Sequence, residues 1–173
     1  MNSPLKYDLK SLLSLVADRP STRIVHFSDG KKEFNDRLVE FAADKQYDYQ
    51  LNATTPEFYE RMKNEYNAST SVHLINFSLG RPKYFIQGKE YDYVFVTSHI
   101  STEEREDFLS KCYPIIKTAG NIILVIPQKE QEAQKNWLPL LEKKGYVASN
   151  ILDDWIEGYD ILISKRMHGW GES

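Results

Sequence analysis

The segment Asn121 to Pro127, NIILVIP, sets the strongest limit on what this chain can fold into. Its unbroken apolar run is mostly β-branched and too short for a helix of ordinary length, so it reads as a strand buried on both faces. Such a strand belongs inside a parallel sheet with helices above and below. At an edge it would expose a flat row of unpaired backbone groups.

The remaining segments supply its partners. LKYDLKSLLSLV puts Leu5, Leu9, Leu12, Leu13 and Val16 on one helical stripe that stops before Pro20, giving an opening helix over residues 1–20. RIVHF is a strand, followed by a helix carrying Phe34, Leu38 and Phe41, and then by the strand YDYQLN, which ends in Asn52. TTPEFYERMKNEY reads as a helix with Thr55 at the N-cap and Pro56 at the first position. SVHLINF and YDYVFVTSH are two further strands. Ser101 with Glu104 has capping-box spacing, and the helix it opens buries Phe108, Leu109, Cys112 and Ile116, with Pro114 bending its last turn and Gly120 ending it. After NIILVIP comes a helix holding Trp137, Leu138 and Leu141. Gly145 then leads into YVASNIL, and a loop through Trp155 and Gly158 leads to YDILISK. No helix-length segment separates these last two strands, so they pair antiparallel.

The fold class expected is α/β and Rossmann-like: about seven strands, mostly parallel, helices on both faces and a C-terminal antiparallel hairpin, in one domain over residues 1–173. At 173 residues the chain can bury a core without disulfides or structural metal. Its single cysteine, Cys112, shares a face with apolar residues and reads as a buried thiol, which fits a reducing cytoplasm. The opening MNSPLKYDLKSL lacks a signal-peptide pattern, and no apolar run approaches the ~20 residues that span a bilayer. Net charge is −3 with lysines and glutamates interspersed, so no basic face argues for nucleic acid. The 11 tyrosines fall beside strands or on helix faces, where packing rather than base stacking accounts for them.

From Tyr91 onward, the run YDYVFVTSH, FLSKCYPIIKTAGNIILVIP, LLEKKGYV and YDILISKR resembles the second half of the class I S-adenosylmethionine-dependent methyltransferases. There an aspartate, here Asp92, orders the start of the fourth strand, a helix leads to an apolar fifth strand, and GY or GF opens a terminal hairpin. The resemblance implies the fold, and S-adenosylmethionine lying across the carboxyl ends of the first strands. It implies cofactor contacts from the turn Ser28, Asp29 and Gly30, from Asn52, from Ser78 after the third strand, and from Thr97. The chain departs from the family at three of these places. Gly30 stands alone in HFSDGKK, with Lys31 and Lys32 where small residues are expected; Asn52 replaces the carboxylate that takes both ribose hydroxyls; Ser78 is neutral. These departures imply either weak binding in an altered pose or a lost cofactor site.

In the family's strand order the first and fourth strands are neighbours, so His26, Ser28 and Asp29 face Thr97, Ser98 and His99 where open α/β sheets bind ligands. Two histidines and a carboxylate there would serve acid–base chemistry or hold a metal; alternatively His26 is a core histidine and Asp29 only a helix cap. His99 and His26 are the catalytic candidates, His99 because the family places its acceptor-contacting residues at that point. His73 reads as structural. His168 and Trp170 in the tail would close over a ligand, pack on a partner or pack on the sheet edge. The segment TSHIS lacks the Asn/Asp-Pro-Pro-aromatic signature of amino methylation, which argues against DNA-base substrates. Three functions follow: a methyltransferase with a divergent pocket, a non-catalytic methyltransferase-fold module binding a partner protein or another copy of itself, or another enzyme using His26, Asp29 and His99.

Overall fold

A computed structural model describes residues 9–30, 32–66, 72–85, 88–128 and 131–167. Leu5, Lys31, His168 and Trp170 lie outside the described residues. The elements are α1 (Leu9–Leu13), β1 (Arg23–Ser28), α2 (Lys32–Lys45), β2 (Asp48–Ala53), α3 (Pro56–Glu65), β3 (Val72–Asn76), β4 (Tyr91–Val96), α4 (Thr102–Cys112), β5 (Ile116–Pro127), α5 (Gln131–Lys143), β6 (Tyr146–Ile156) and β7 (Tyr159–Arg166). They build one seven-stranded sheet of order β3-β2-β1-β4-β5-β7-β6. The first five strands run parallel, β7 is antiparallel to β5, and β6 is antiparallel to β7. The α/β fold class, its strand number and its terminal hairpin are those expected from the sequence.

NIILVIP lies where its composition requires, paired to β4 on one side and β7 on the other, with Ile122 and Ile123 fully buried. Side chains alternate between two cores. One holds Val25, Phe27, Val94, Ile122 and Leu124 beneath α4 and α5; the other holds Ile24, Tyr49, Leu51, Phe95 and Ile123 beneath α1, α2 and α3. Between β3 and β4 no helix is formed among the described residues. Phe77 and Tyr84 from that connection cover the first core, meeting edge to face at 4.8 Å.

Local signals worked where they were self-contained. Thr55 caps α3 through its hydroxyl, which accepts from the Phe58 amide at 3.2 Å, and Pro56 needs no donor in that first turn. Ser101 does precede α4, but the box is not closed: its hydroxyl donates to the Glu104 carboxylate at 2.8 Å instead of accepting from the backbone. Asp92 accepts from the Arg23 amide at 2.8 Å, tying the start of β4 to β1, the structural role expected of it.

Four boundaries differ. α1 ends at Leu13, so the opening helix stops short of Val16, whose amide donates to the Leu13 carbonyl in a turn. β2 runs one residue past Asn52. Trp155 belongs to β6, because the hairpin with β7 continues past a register shift to a tight turn at Gly158, whose φ is 87°. Ile116 and Gly120 are not helical: α4 stops at Cys112, a 3₁₀ turn spans Tyr113–Ile115, and β5 has already begun at Ile116. Pro114 has no amide to continue the α-helix, so the chain leaves it there. β4 and β5 then pair Tyr91 with Ile116 and Tyr93 with Asn121, so extra residues bulge out and Gly120 is pressed against the sheet. A Cβ at Gly120 would stand 2.8 Å from Ile116 Cγ2, 2.9 Å from the Lys117 carbonyl and 3.0 Å from the Asp92 carbonyl. Gly120→Ala is therefore expected to lower unfolding stability by about 1–3 kcal/mol in urea titration, since backbone atoms cannot step aside.

Cys112 is wholly buried, and desolvation pushes its thiol well above the ordinary value. Lys111, the nearest cation in sequence, pairs with Asp107 at 2.7 Å. Modification by a thiol reagent should follow the rate of opening of the native state; rapid stoichiometric labelling of the folded chain would contradict this.

Candidate functional site

The carboxyl ends of β1, β2 and β4 meet at the point where the strand order reverses, and polar groups converge there. Asp29, just past β1, accepts the His99 amide at 3.0 Å, which ties the turn after β1 to the turn after β4. The Ser28 carbonyl accepts from the Thr54 amide at 2.9 Å and its hydroxyl at 3.2 Å, and the Thr54 and Ser98 hydroxyls lie 2.7 Å apart. Gly30's carbonyl accepts from the Ser28 hydroxyl at 3.2 Å and from Asn35 Nδ2 at 2.9 Å. The turn is thus bound largely to itself and its neighbours.

His26 is fully buried beneath this edge, one ring nitrogen 2.9 Å from the Tyr49 hydroxyl and the other 2.8 Å from Thr97 Oγ1. The sequence brought His26, Asp29 and His99 together as one group. The structure joins Asp29 to the backbone of His99 and sets His26 below them between two hydroxyls. The His99 side chain is exposed. Among the described residues no three metal-ligating side chains gather.

Asn52 is 1% exposed and its Oδ1 accepts from Gln50 Nε2 at 2.8 Å; Gln50 Oε1 in turn accepts from the Tyr91 hydroxyl at 2.8 Å. Burial raises the Tyr91 phenol to about 12, which keeps its proton in place for that bond. Ser78 is exposed beyond the end of β3, where its carbonyl accepts from the Arg81 amide at 3.2 Å. His73 lies on the edge strand β3, 3.5 Å from Asp48 at the opposite end of the sheet from the turns.

A cleft of ≈ 40 Å³ opens between the carboxyl ends of β4 and β5, lined by Thr97, Ser98, His99, Arg105, Pro127 and Trp137. Sites that enclose a drug-sized ligand run to about 300–1,000 Å³, so this one admits a single small group. Arg105 is buried at its side, donating to the Ile100 carbonyl at 3.1 Å and to Asn136 Oδ1 at 2.9 Å, with its guanidinium 5.2 Å from the Trp137 ring centre. The sequence marks Trp137 only as a residue of its helix, and it does not single out Arg105, Thr54 or Tyr49. A signal for Arg105 exists: it precedes Phe108 and Leu109 by three and four residues and so shares their buried stripe.

The fold is that of class I methyltransferases. An S-adenosylmethionine-dependent O-methyltransferase from Thermotoga maritima superposes with a TM-score of 0.71 at 12% identity, over 96% of this chain and 66% of that one. A TehB-like S-adenosylmethionine-dependent methyltransferase from Corynebacterium glutamicum gives 0.70 at 13% identity, over 94% and 88%. The CurJ carbon methyltransferase gives 0.67 at 12% identity, over 90% of this chain and 51% of that chain. The chain therefore spans about half the length of the CurJ enzyme and about two-thirds of the Thermotoga enzyme. No protein-family model and no curated protein matches the sequence.

The turn after β1 leaves open space at Gly30. Gly30 has no positive φ, and a Cβ added there would meet nothing within 4 Å, so no contact inside the chain demands glycine. Beside it, Asn35 Oδ1 is buried without a hydrogen-bond partner among the described residues. At the end of β2 no carboxylate is offered.

Proposed function

We propose that this chain is an S-adenosylmethionine-dependent methyltransferase with a divergent cofactor pocket. The observation that supports it best is the switch point itself, where the turn of Ser28, Asp29 and Gly30 faces Thr97, Ser98 and His99 across neighbouring strands. Ser28, Asp29, Gly30 and Thr97 would hold the cofactor, with Asn52 and Ser78 toward its nucleoside portion. When bound, the group supplies a methyl on a sulfonium centre, so alignment is most of what the protein must provide. Asp29 holds the His99 backbone in place, and the exposed His99 imidazole stands at the cleft mouth, where it would orient a methyl acceptor or take its proton.

The self-bonded turn favours a second reading, a non-catalytic module that keeps the fold and binds a partner protein or another copy of itself. Titration calorimetry separates the two. The first reading expects S-adenosylmethionine and S-adenosylhomocysteine to bind with a Kd of about 0.1–1 mM, or about −4 to −5.5 kcal/mol. Absence of heat at millimolar ligand favours the module, and sub-micromolar binding overturns the divergent pocket.

A further inference from the structure

We propose that Tyr91 and Gln50 lock the Asn52 amide with its N–H pair, not its oxygen, toward the carboxyl end of β2, so that the site there selects a hydrogen-bond acceptor, an oxyanion such as a sugar phosphate, over a free ribose diol. The assignment shares one premise with the methyltransferase reading, that a nucleoside lies over the end of β2.

The direction follows from the phenol. Tyr91 is 2% exposed, and the bond of its hydroxyl runs 2.8 Å to Gln50 Oε1. Turning the Gln50 amide over would set N–H against the phenol oxygen and leave the single phenolic proton buried without an acceptor. Gln50 Oε1 therefore faces Tyr91, and its Nε2 donates at 2.8 Å to Oδ1 of Asn52, which shares its face of β2. Turning Asn52 over would set two N–H groups against each other. Its Nδ2 is thus directed away from Gln50 with both protons. That nitrogen has no hydrogen-bond partner among the described residues, and it is not one of the polar atoms sealed from solvent without one, as Asn35 Oδ1 is.

The surroundings favour negative charge on the ligand. α3 begins just after β2 and α2 just after β1, so both helices have their positive ends at this edge of the sheet. The sequence adds Lys31 and Lys32 directly after Gly30. Of the carboxylates nearby in sequence, Asp29 accepts the His99 amide, Glu57 is exposed, and Asp48 belongs to the opposite end of β2. A charged acceptor bonds to N–H donors roughly twice as strongly as a neutral one, whereas the protons of a ribose diol meet an amide whose oxygen faces inward. Tyr91 and Gln50 are positioning residues here; Asn52 is the one that meets the ligand.

Adenosine and adenosine 2′-monophosphate, titrated into the full chain, are the probes, read on the side-chain amide of Asn52 in nitrogen-15 spectra. The phosphate compound should move those signals and bind about tenfold more tightly than adenosine. Asn52→Asp should reverse the order. Tyr91→Phe, which removes one oxygen and frees Gln50 and then Asn52 to turn over, should narrow the preference to about threefold or less. A merely structural Tyr91 would leave that ratio unchanged. Equal or inverted affinities in the unsubstituted chain, unmoved Asn52 signals, a phosphate preference that survives Asn52→Asp, or an unchanged ratio in Tyr91→Phe overturns the proposal. Neither probe is S-adenosylmethionine. Calorimetric binding of that cofactor without a phosphate preference strikes this proposal alone, and a phosphate preference without cofactor binding strikes the methyltransferase reading alone.

Discussion

Phe27→Ala should lower the free energy of unfolding by about 3–5 kcal/mol, the range for removing a large ring from a packed core. Phe27 is fully buried and stands at the centre of an aromatic cluster, with ring centroids 5.1 Å from Phe77, 5.3 Å from Phe108 and 5.7 Å from Tyr84. The Phe77 and Phe108 contacts are edge to face, the arrangement that adds roughly 0.5–1.5 kcal/mol per pair beyond buried area. In a chain of this length that loss lowers Tm by roughly 6–20 °C. The residue also joins core to site, since its carbonyl accepts the amides of Thr97 at 2.9 Å and Ser98 at 3.1 Å. Phe27→Leu keeps most of the volume and should cost less than about 1.5 kcal/mol. Urea titration of both variants measures the difference. Equal losses would show that ring geometry contributes nothing, and a loss below about 1 kcal/mol for the alanine variant would show that the site collapses around the gap.

How far the sequence could be read followed from how local each cause was. Thr55 and Pro56 specify the start of α3 by contacts three residues long, and NIILVIP specifies its own burial by composition, so both read correctly. Ile116 continues the helical spacing of Phe108 and Cys112, and Gly120 is the next residue able to end a helix. Pro114 overrides that spacing, and the pairing that captures Ile116 comes from Tyr91, far away in sequence. The site was legible as a place and not as an arrangement. Strand order alone puts Asp29 opposite His99. By contrast, the tie of Asn52 to Gln50 depends on Tyr91, which reaches Gln50 from β4 past the intervening β1, and no periodicity reports a bond of that kind. Tyr49 likewise reads as one more packed aromatic until β1 places His26 beside it.

That tie at Asn52 carries the second large effect. In the family's pose the end of β2 offers two carboxylate oxygens to two adjacent ribose hydroxyls, a match of acceptors to donors that an amide lacks. Here Oδ1 of Asn52 is already taken by Gln50 Nε2 at 2.8 Å, so the amide has no second oxygen to give. Asn52→Asp would keep one oxygen on Gln50 and present the other as a charged acceptor. A charged hydrogen bond of this kind contributes about 1.5–3 kcal/mol, so S-adenosylmethionine should bind roughly ten- to hundredfold more tightly to the variant in calorimetry. The same carboxylate is introduced at a position 1% exposed, which raises its folded pKa above the unfolded value. The sign is then determined: the variant should match the unsubstituted chain in acid, and lose stability as pH rises through the unfolded carboxylate range near ~3.9. Saturating cofactor should restore part of that loss, because a ligand that binds only the folded state stabilises it. Loss of stability with unchanged cofactor affinity would mean that no ribose stands over β2, and the non-catalytic module would then be the better description of this chain.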